Sequence, residues 1–239
     1  IVGRALGAEE IEIWTDVSGV MSADPRMVPE AQSLASMSFS EAAELAYYGA
    51  QVIHPATIQP AVKANIPIRV LNTYHPDATG TVVLRDSKAD RAGVRSIASK
   101  SDITLVHVTS LRMLQQGGFM ARLFAVFDQH EVVIDMISTS EVSVTLTTDD
   151  AANLDGAVED LSVFAEVRIE REKAILCLVG AGLHDDDALL ARVFDALCRE
   201  GIAPRMVSMG ASRINVSLLV DMADEARAVR ALHGEFFSG

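Results

Sequence analysis

The chain has 239 residues, 49% of them hydrophobic and 22% charged, with a formal net charge of −13. That composition supports a globular core without disulfides or structural metal. The acidic balance excludes the footprint of a nucleic-acid binder and argues against an anionic membrane surface, and no apolar run reaches the roughly 18 residues of a membrane helix.

In chain order, "IEIW" (11–14) reads as a strand that runs into the turn "TDVSG". "SFSEAAELAYYG" (38–49) reads as a helix, with Ser38 and Glu41 spaced as a capping box and Gly49 as its stop. "HPATIQPAVKAN" (54–65) opens a second helix with Pro55 at its first position. His54 before that proline reads as a capping or packing residue rather than a general base. "IPIRVLN" (66–72) is another strand and "TYHPDATGT" (73–81) a loop. Residues 1–86 thus have the texture of an α/β sheet domain, with too few strands to close one.

The polar stretch "RDSKADRAG" (85–93) reads as a linker, and 87–100 as a linker that ends in a strand. Beyond it the chain repeats: "ARLFAVFDQH" (121–130) matches "ARVFDALCRE" (191–200), and "EVVIDMIS" (131–138) matches "GIAPRMVS" (201–208), both at an offset of 70. The first copy, 101–170, predicts strand 103–109, helix 118–129, strands 132–138 and 142–148, helix 150–161 and strand 163–169. Phe119, Met120, Leu123, Phe124 and Phe127 share one face of its first helix. This is the βαββαβ, ferredoxin-like order. The second copy, 171–239, predicts strand 174–180, helix 186–199, strands 202–209 and 213–220, and helix 223–233. Its sixth element is missing, and "GVRSIAS" (93–99) is expected to supply it, which nests the first copy inside the second.

Cys177 and Cys198 are distant from one another and from any Cys/His cluster, so they read as buried reduced thiols and no metal site is expected. Asp135, in the apolar run "VVIDMIS", needs a cation or a hydrogen-bonding partner if that run is a buried strand. Capping of nearby backbone or pairing with a local arginine such as Arg122 would serve, and so would a bound ligand.

"WTDVSGVMSADPR" (14–26) and "ELAYYGAQVIHPATIQPAVKANIPIRV" (44–70) resemble the C-terminal part of the aspartate kinase catalytic domain. "LRMLQQGGFMARLFAVFDQHEVVIDMISTSEVSV" (111–144) resembles that family's first ACT repeat, closest to the lysine-inhibited type. The resemblance implies an incomplete α/β/α amino-acid-kinase sheet followed by two ACT domains, the first nested in the second. It implies phosphoryl transfer from ATP, with Mg2+, to aspartate in the whole enzyme. No tightly bound cofactor is implied, and this segment alone is expected to be inactive, because the family's opening phosphate-handling and aspartate-binding segments are not in it.

By the same resemblance Thr15 and Asp16 contact nucleotide, Arg26 lies near the phosphates, and Met21, Gln51 and Val52 complete the set. Met21 stands where the family usually has tyrosine, and Gln51 where it usually has lysine. Met113, Gln116, Gly118, Phe119, Met120, Val133, Ile134, Asp135, Ser140 and Glu141 are implied to line an L-lysine site between two subunits, with Asp135 holding the ε-ammonium. Threonine is the competing effector, and a homodimer or larger assembly through the ACT domains is implied. In the second copy Arg205 replaces Asp135, so one class of effector site is expected. A cytoplasmic location is also expected, and a chain that starts at Ile1 is expected to lack its natural N-terminus. Other expectations are a separate non-catalytic regulatory subunit that binds lysine or threonine and a catalytic partner, and a fusion to a further enzyme beyond Gly239.

Overall fold

The computed structural model describes residues 2–48, 55–85, 93–114, 117–210 and 212–237. Gln51, Val52, His54, Gln116 and most of the expected linker lie outside the described residues.

Helix α1 (Val2–Leu6) precedes β1 (Ile11–Thr15), which joins β2 (Ser36–Ser38), β3 (Ile68–Asn72) and β4 (Thr81–Leu84) in a sheet ordered β1-β3-β4-β2. β1 and β3 are parallel, as are β2 and β4, while β3 and β4 are antiparallel. β2, β4 and α1 are absent from the sequence reading, because strands of three and four residues and a five-residue helix of little more than one turn carry too little periodicity to register. Helix α2 (Phe39–Tyr47) starts at the expected capping box: the Glu41 N–H donates to Ser38 Oγ at 3.2 Å and the Ser38 N–H to Glu41 Oε2 at 2.7 Å. Helix α3 (Pro55–Ala64) follows.

The remaining strands are β5 (Ser96–Thr109), β6 (Ile137–Thr139), β7 (Ser143–Thr148), β8 (Glu166–Val179), β9 (Met206–Met209) and β10 (Asn215–Asp221). They form one sheet ordered β6-β7-β5-β8-β10-β9, accompanied by α4 (Phe119–Gln129), α5 (Leu154–Ser162), α6 (Leu189–Arg199) and α7 (Glu225–Phe237). β5 and β8 each serve both repeats. Residues 103–109 of β5 and 166–173 of β8 pair with one another in the first repeat; Ser96 to Lys100 pair with Val179 to Ile175 in the second. The missing sixth strand of the second βαββαβ unit is therefore the start of β5, and the first unit is nested in the second.

The sequence reading divides each of these 14-residue strands in two. What joins the halves is a kink with no glycine or proline to announce it. Register shifts fall between Lys100 and Leu105, and Asp102 and Glu172, which are 70 positions apart, both adopt left-handed φ of 58° and 56°. Such residues bend a strand without ending it. Two other expected strands are shorter than predicted. β6 starts only at Ile137 and β9 only at Met206, because the residues before them pair irregularly. Asp135 is thus in an irregular segment, where its N–H donates to Thr147 O at 2.9 Å and the Met136 N–H to Thr147 Oγ1 at 2.9 Å.

Apolar burial explains the assembly. Phe119, Leu123 and Phe127 of α4 join Leu154, Ala157 and Leu161 of α5 in the first repeat's core, and Val193, Ala196, Val229 and Leu232 anchor α6 and α7 in the second. A third cluster unites the two sheets: Leu45 and Tyr48 of the α2 region lie with Ala98, Ile103, Met136, Ile175, Cys177 and Leu219. Cys177 is buried, which pushes its thiol up to about 12, whereas Cys198 is exposed, contrary to the reading of both as buried. Among the described residues no helix is long and apolar enough to cross a membrane.

Candidate functional site: a cleft and a buried carboxylate

A cleft of about 420 Å³ opens where β1 ends. Thr15, Asp16, Met21 and Arg26 line it together, and Ser96–Ser99 of β5 form another wall. Local hydrogen bonds set its shape. Thr15 Oγ1 donates to Asp16 Oδ1 at 3.0 Å, and Asn72 Nδ2 donates to Ser18 Oγ at 2.8 Å. Gly19 has φ +99°, and a β-carbon there would lie 2.4 Å from Thr81 Oγ1, so the loop can approach β4 only as glycine. A turn after a parallel strand presents backbone groups and a carboxylate to a nucleotide.

Arg26 is held by Asp24: Nη2 is 2.6 Å from Asp24 Oδ2, with the guanidinium 89% exposed and the Asp24 side chain 29% exposed. The guanidinium holds the Asp24 carboxyl below its ordinary range. An arginine already charge-paired at the mouth of a cleft can turn to a phosphate oxygen at little cost, because an exposed ion pair is screened by solvent.

The cleft loop is fastened to the second repeat. The Ile97 N–H donates to Ser22 O at 2.8 Å, and Ser96 Oγ donates to Met21 O at 2.8 Å. Ser22 Oγ is 2.9 Å from Nε2 of His233 on α7, and the His233 ring stacks on Phe237. Burial holds His233 below the ordinary imidazole value. Lysine and arginine partners likewise hold Asp221 down, and arginines hold Glu235 down. Each of these groups binds its proton less well folded than unfolded. Their contribution to stability is complete above the unfolded pKa and is lost as pH falls through the folded one. Stability is therefore expected to decline first below about pH 6.5, through His233, and again below about pH 4, through the carboxylates. Urea denaturation at pH 8, 5 and 3 measures both steps, and His233→Phe is expected to flatten the first.

Asp135 has its cation within the chain. Its side chain is 0% exposed; Oδ1 accepts from Lys100 Nζ at 3.0 Å and from the Tyr47 hydroxyl at 2.8 Å, while Oδ2 is buried without a partner among the described residues. Lys100 Nζ also lies 2.8 Å from Asp149 Oδ2 and 5.2 Å from the centre of the Tyr47 ring. Burial acts to lower the Lys100 pKa, but Asp149 and Asp135 outweigh it, and the net direction is upward. For Tyr47, burial and then the Asp135 hydrogen bond push the hydroxyl well above its ordinary value. Arg122, weighed as a local partner from the sequence, instead lies over the Phe164 ring at 3.9 Å.

The other residues read as an effector site divide into groups. Phe119 is in the first repeat's core, with Met113, Met120 and Ile134 packed against it. Gly118 is the left-handed N-cap of α4, at φ 89° with no side-chain cap, and a β-carbon there would meet nothing within 4 Å. Such a helix start is suited to a carboxylate. Val133 is 58% exposed, Glu141 is exposed, and Ser140 Oγ is 2.7 Å from Ser143 Oγ. None of these residues lines the cleft, and Asp135 accepts a hydrogen bond from Tyr47 of α2. Sequence reasoning missed Lys100, Tyr47 and Asp149, which lie 35, 88 and 14 positions from Asp135; no local pattern could have joined them. At the Asp135 position of the second repeat, Arg205 pairs with Asp221 at 3.1 Å, and Asp221 also takes Lys173 at 2.9 Å.

Residues 1–72 match the amino acid kinase family, and residues 176–236 match an ACT domain. Aspartokinase 2, chloroplastic, of Arabidopsis thaliana is 40% identical over 247 residues, covering 99% of this chain and 45% of that protein. Lysine-sensitive aspartokinase 3 of Escherichia coli is 36% identical, covering 99% and 54% respectively. The structure of E. coli aspartokinase III in complex with aspartate and ADP (R-state) superposes with a TM-score of 0.90 at 36% identity, covering 99% of this chain and 54% of the other. The same enzyme in complex with lysine and aspartate (T-state) gives 0.84, with the same identity and coverage. The chain spans about half the length of these relatives. With an amino acid kinase sheet leading into two nested ACT repeats, the chain belongs to the aspartokinase family, whose C-terminal region it matches.

Proposed function

We propose that this chain is the nucleotide-side edge and feedback sensor of a lysine-regulated aspartokinase, which transfers the γ-phosphoryl group of ATP, delivered with Mg2+, to the β-carboxylate of aspartate. One observation carries the reading. The cleft lined by Thr15, Asp16, Met21 and Arg26 has Ser96–Ser99 as a wall, and the next residue of that strand, Lys100, is paired to the buried Asp135. One continuous strand thus serves both the nucleotide and the expected effector site.

In this reading Asp16 and the β1 turn position the nucleoside, and Arg26 leaves Asp24 to neutralise phosphate charge; both are positioning and electrostatic roles. L-lysine suits the sensor because Asp135 offers a carboxylate to an ammonium and the Gly118 helix start offers N–H groups to an α-carboxylate. L-threonine lacks the side-chain ammonium. The exposed Val133 and Ile137 support a face shared between two first repeats, so the lysine site would form in a homodimer or a larger assembly. The chain superposes better on the R-state relative than on the lysine-bound T-state one, which fits an arrangement without effector.

The test is ADP release by the full-length protein with L-aspartate as acceptor. Aspartate-dependent turnover is expected; turnover with L-glutamate instead, or none that depends on an amino acid, would overturn the reading. Arg26→Ala is expected to raise the KM for ATP about tenfold, the loss of one charge-assisted hydrogen bond.

A further inference from the structure

We propose that Lys100 is a tethered competitor of the effector: its ε-ammonium fills, within the same chain, the carboxylate that the ammonium of a free basic amino acid would take. This rests on the effector reading of Asp135 given above. Three features of the geometry carry it.

The Asp135 carboxylate is used unevenly. Oδ1 takes both Lys100 and Tyr47, while Oδ2 is buried without a partner among the described residues. That oxygen is an acceptor still open to a further donor, and an unmet buried acceptor gains from one. Lys100, for its part, has somewhere to go. Asp149 Oδ2 already lies 2.8 Å from its Nζ and is 42% exposed, so the ammonium can leave Asp135 without becoming a buried unpaired charge. The third feature is the strand itself. Register shifts immediately after Lys100, and Asp102 is left-handed, so the ladder is interrupted at this residue before it resumes at Ile103.

The second repeat shows the contrast. There the corresponding position is itself a cation, Arg205, and both Asp221 oxygens are taken, by Lys173 and Arg205. That cluster is closed. The first repeat holds the same kind of ion pair but supplies the cation from β5, where it can be exchanged.

Exchange would be felt at the cleft. Tyr47 of α2 shares Oδ1 with Lys100, and the four residues before Lys100 wall the nucleotide cleft. An effector ammonium on Asp135 would release Lys100 to Asp149 and disturb both contacts. Competition by a tethered group also sets the threshold of the sensor, because apparent affinity falls in proportion to the fraction of carboxylate that is free.

The experiment is calorimetric titration of the full-length protein with L-lysine in three forms: wild type, Lys100→Met and Asp149→Asn. Lys100→Met, which keeps the stem and removes the charge, is expected to bind L-lysine at least about tenfold more tightly than wild type. Asp149→Asn, which takes away the alternative seat, is expected to bind it more weakly. Wild type that does not bind beside a Lys100→Met protein that does would support the proposal equally. If wild type binds and Lys100→Met binds no tighter, the competitor role is overturned and the effector reading stands. If neither wild type nor Lys100→Met binds, both fall. Should Lys100→Met show no cooperative melting, Asp149→Asn decides, and unchanged affinity there overturns the proposal.

Discussion

Asp135→Ala is expected to weaken L-lysine binding at least about 100-fold, the scale on which truncating one partner of a buried charge pair acts. The same change is expected to lower folding stability by about 2–3 kcal/mol. Breaking a buried pair costs about 3–5 kcal/mol when the surviving charge is stranded. Here Lys100 keeps Asp149, which reduces the cost, while the Tyr47 hydroxyl loses its acceptor. Asp135→Asn separates the two effects: it keeps an acceptor for Tyr47 and removes the charge, so it should recover much of the stability and little of the binding. Calorimetric titration and urea denaturation of the two variants check both halves. Equal L-lysine affinity in wild type and Asp135→Ala would remove this carboxylate from the sensor.

The second large effect concerns how the repeats interlock. Gly180 follows β8, and a β-carbon there would lie 2.0 Å from Gly93 O and 3.1 Å from Arg95 N. Both neighbours are backbone, fixed by the Gly93 N–H to Ala181 O bond of 2.9 Å and the Arg95 N–H to Val179 O bond of 2.8 Å. Neither can yield without releasing the strand that closes the second repeat. Gly180→Ala is therefore expected to destabilise by about 3 kcal/mol or more, at the upper end of single substitutions. Gly118→Ala is the comparison. Its β-carbon meets nothing within 4 Å, and only the φ of +89° penalises it, so about 1 kcal/mol is expected. Equal melting temperatures for Gly180→Ala and wild type would mean that residues 93–95 do not pass over Gly180 as described.

Much of this architecture is legible in the sequence because it is local. Ser38 and Glu41 announce a helix start, five apolar side chains at helical spacing announce α4, and a 70-residue offset announces the duplication. The nesting is legible too, since a βαββαβ unit that ends one strand short needs that strand from elsewhere. Less legible are features that depend on distant partners. Lys100 is one polar residue among several in "SIASKSD", and nothing near it shows that the strand kinks there or that Asp135 lies opposite. The Asp102 and Glu172 kinks carry no glycine, so one long strand reads as two. Of the nucleotide set, Thr15, Asp16, Met21 and Arg26 do share a cleft, although its wall from β5 is invisible in the sequence. The effector set is where sequence and geometry diverge most: Met113, Phe119, Met120 and Ile134 pack into the first repeat, whereas Val133 is exposed and Asp135 faces Tyr47 and Lys100.

The most direct measurement is the rate of ATP-dependent aspartate phosphorylation by the full-length protein as L-lysine is titrated in, with D-lysine and L-threonine as controls. A saturable fall in rate with L-lysine, and none with D-lysine, is the predicted result. A rate that ignores L-lysine while falling with L-threonine alone would contradict the lysine assignment, since threonine has no side-chain ammonium for Asp135 to hold while its α-carboxylate sits at the helix start.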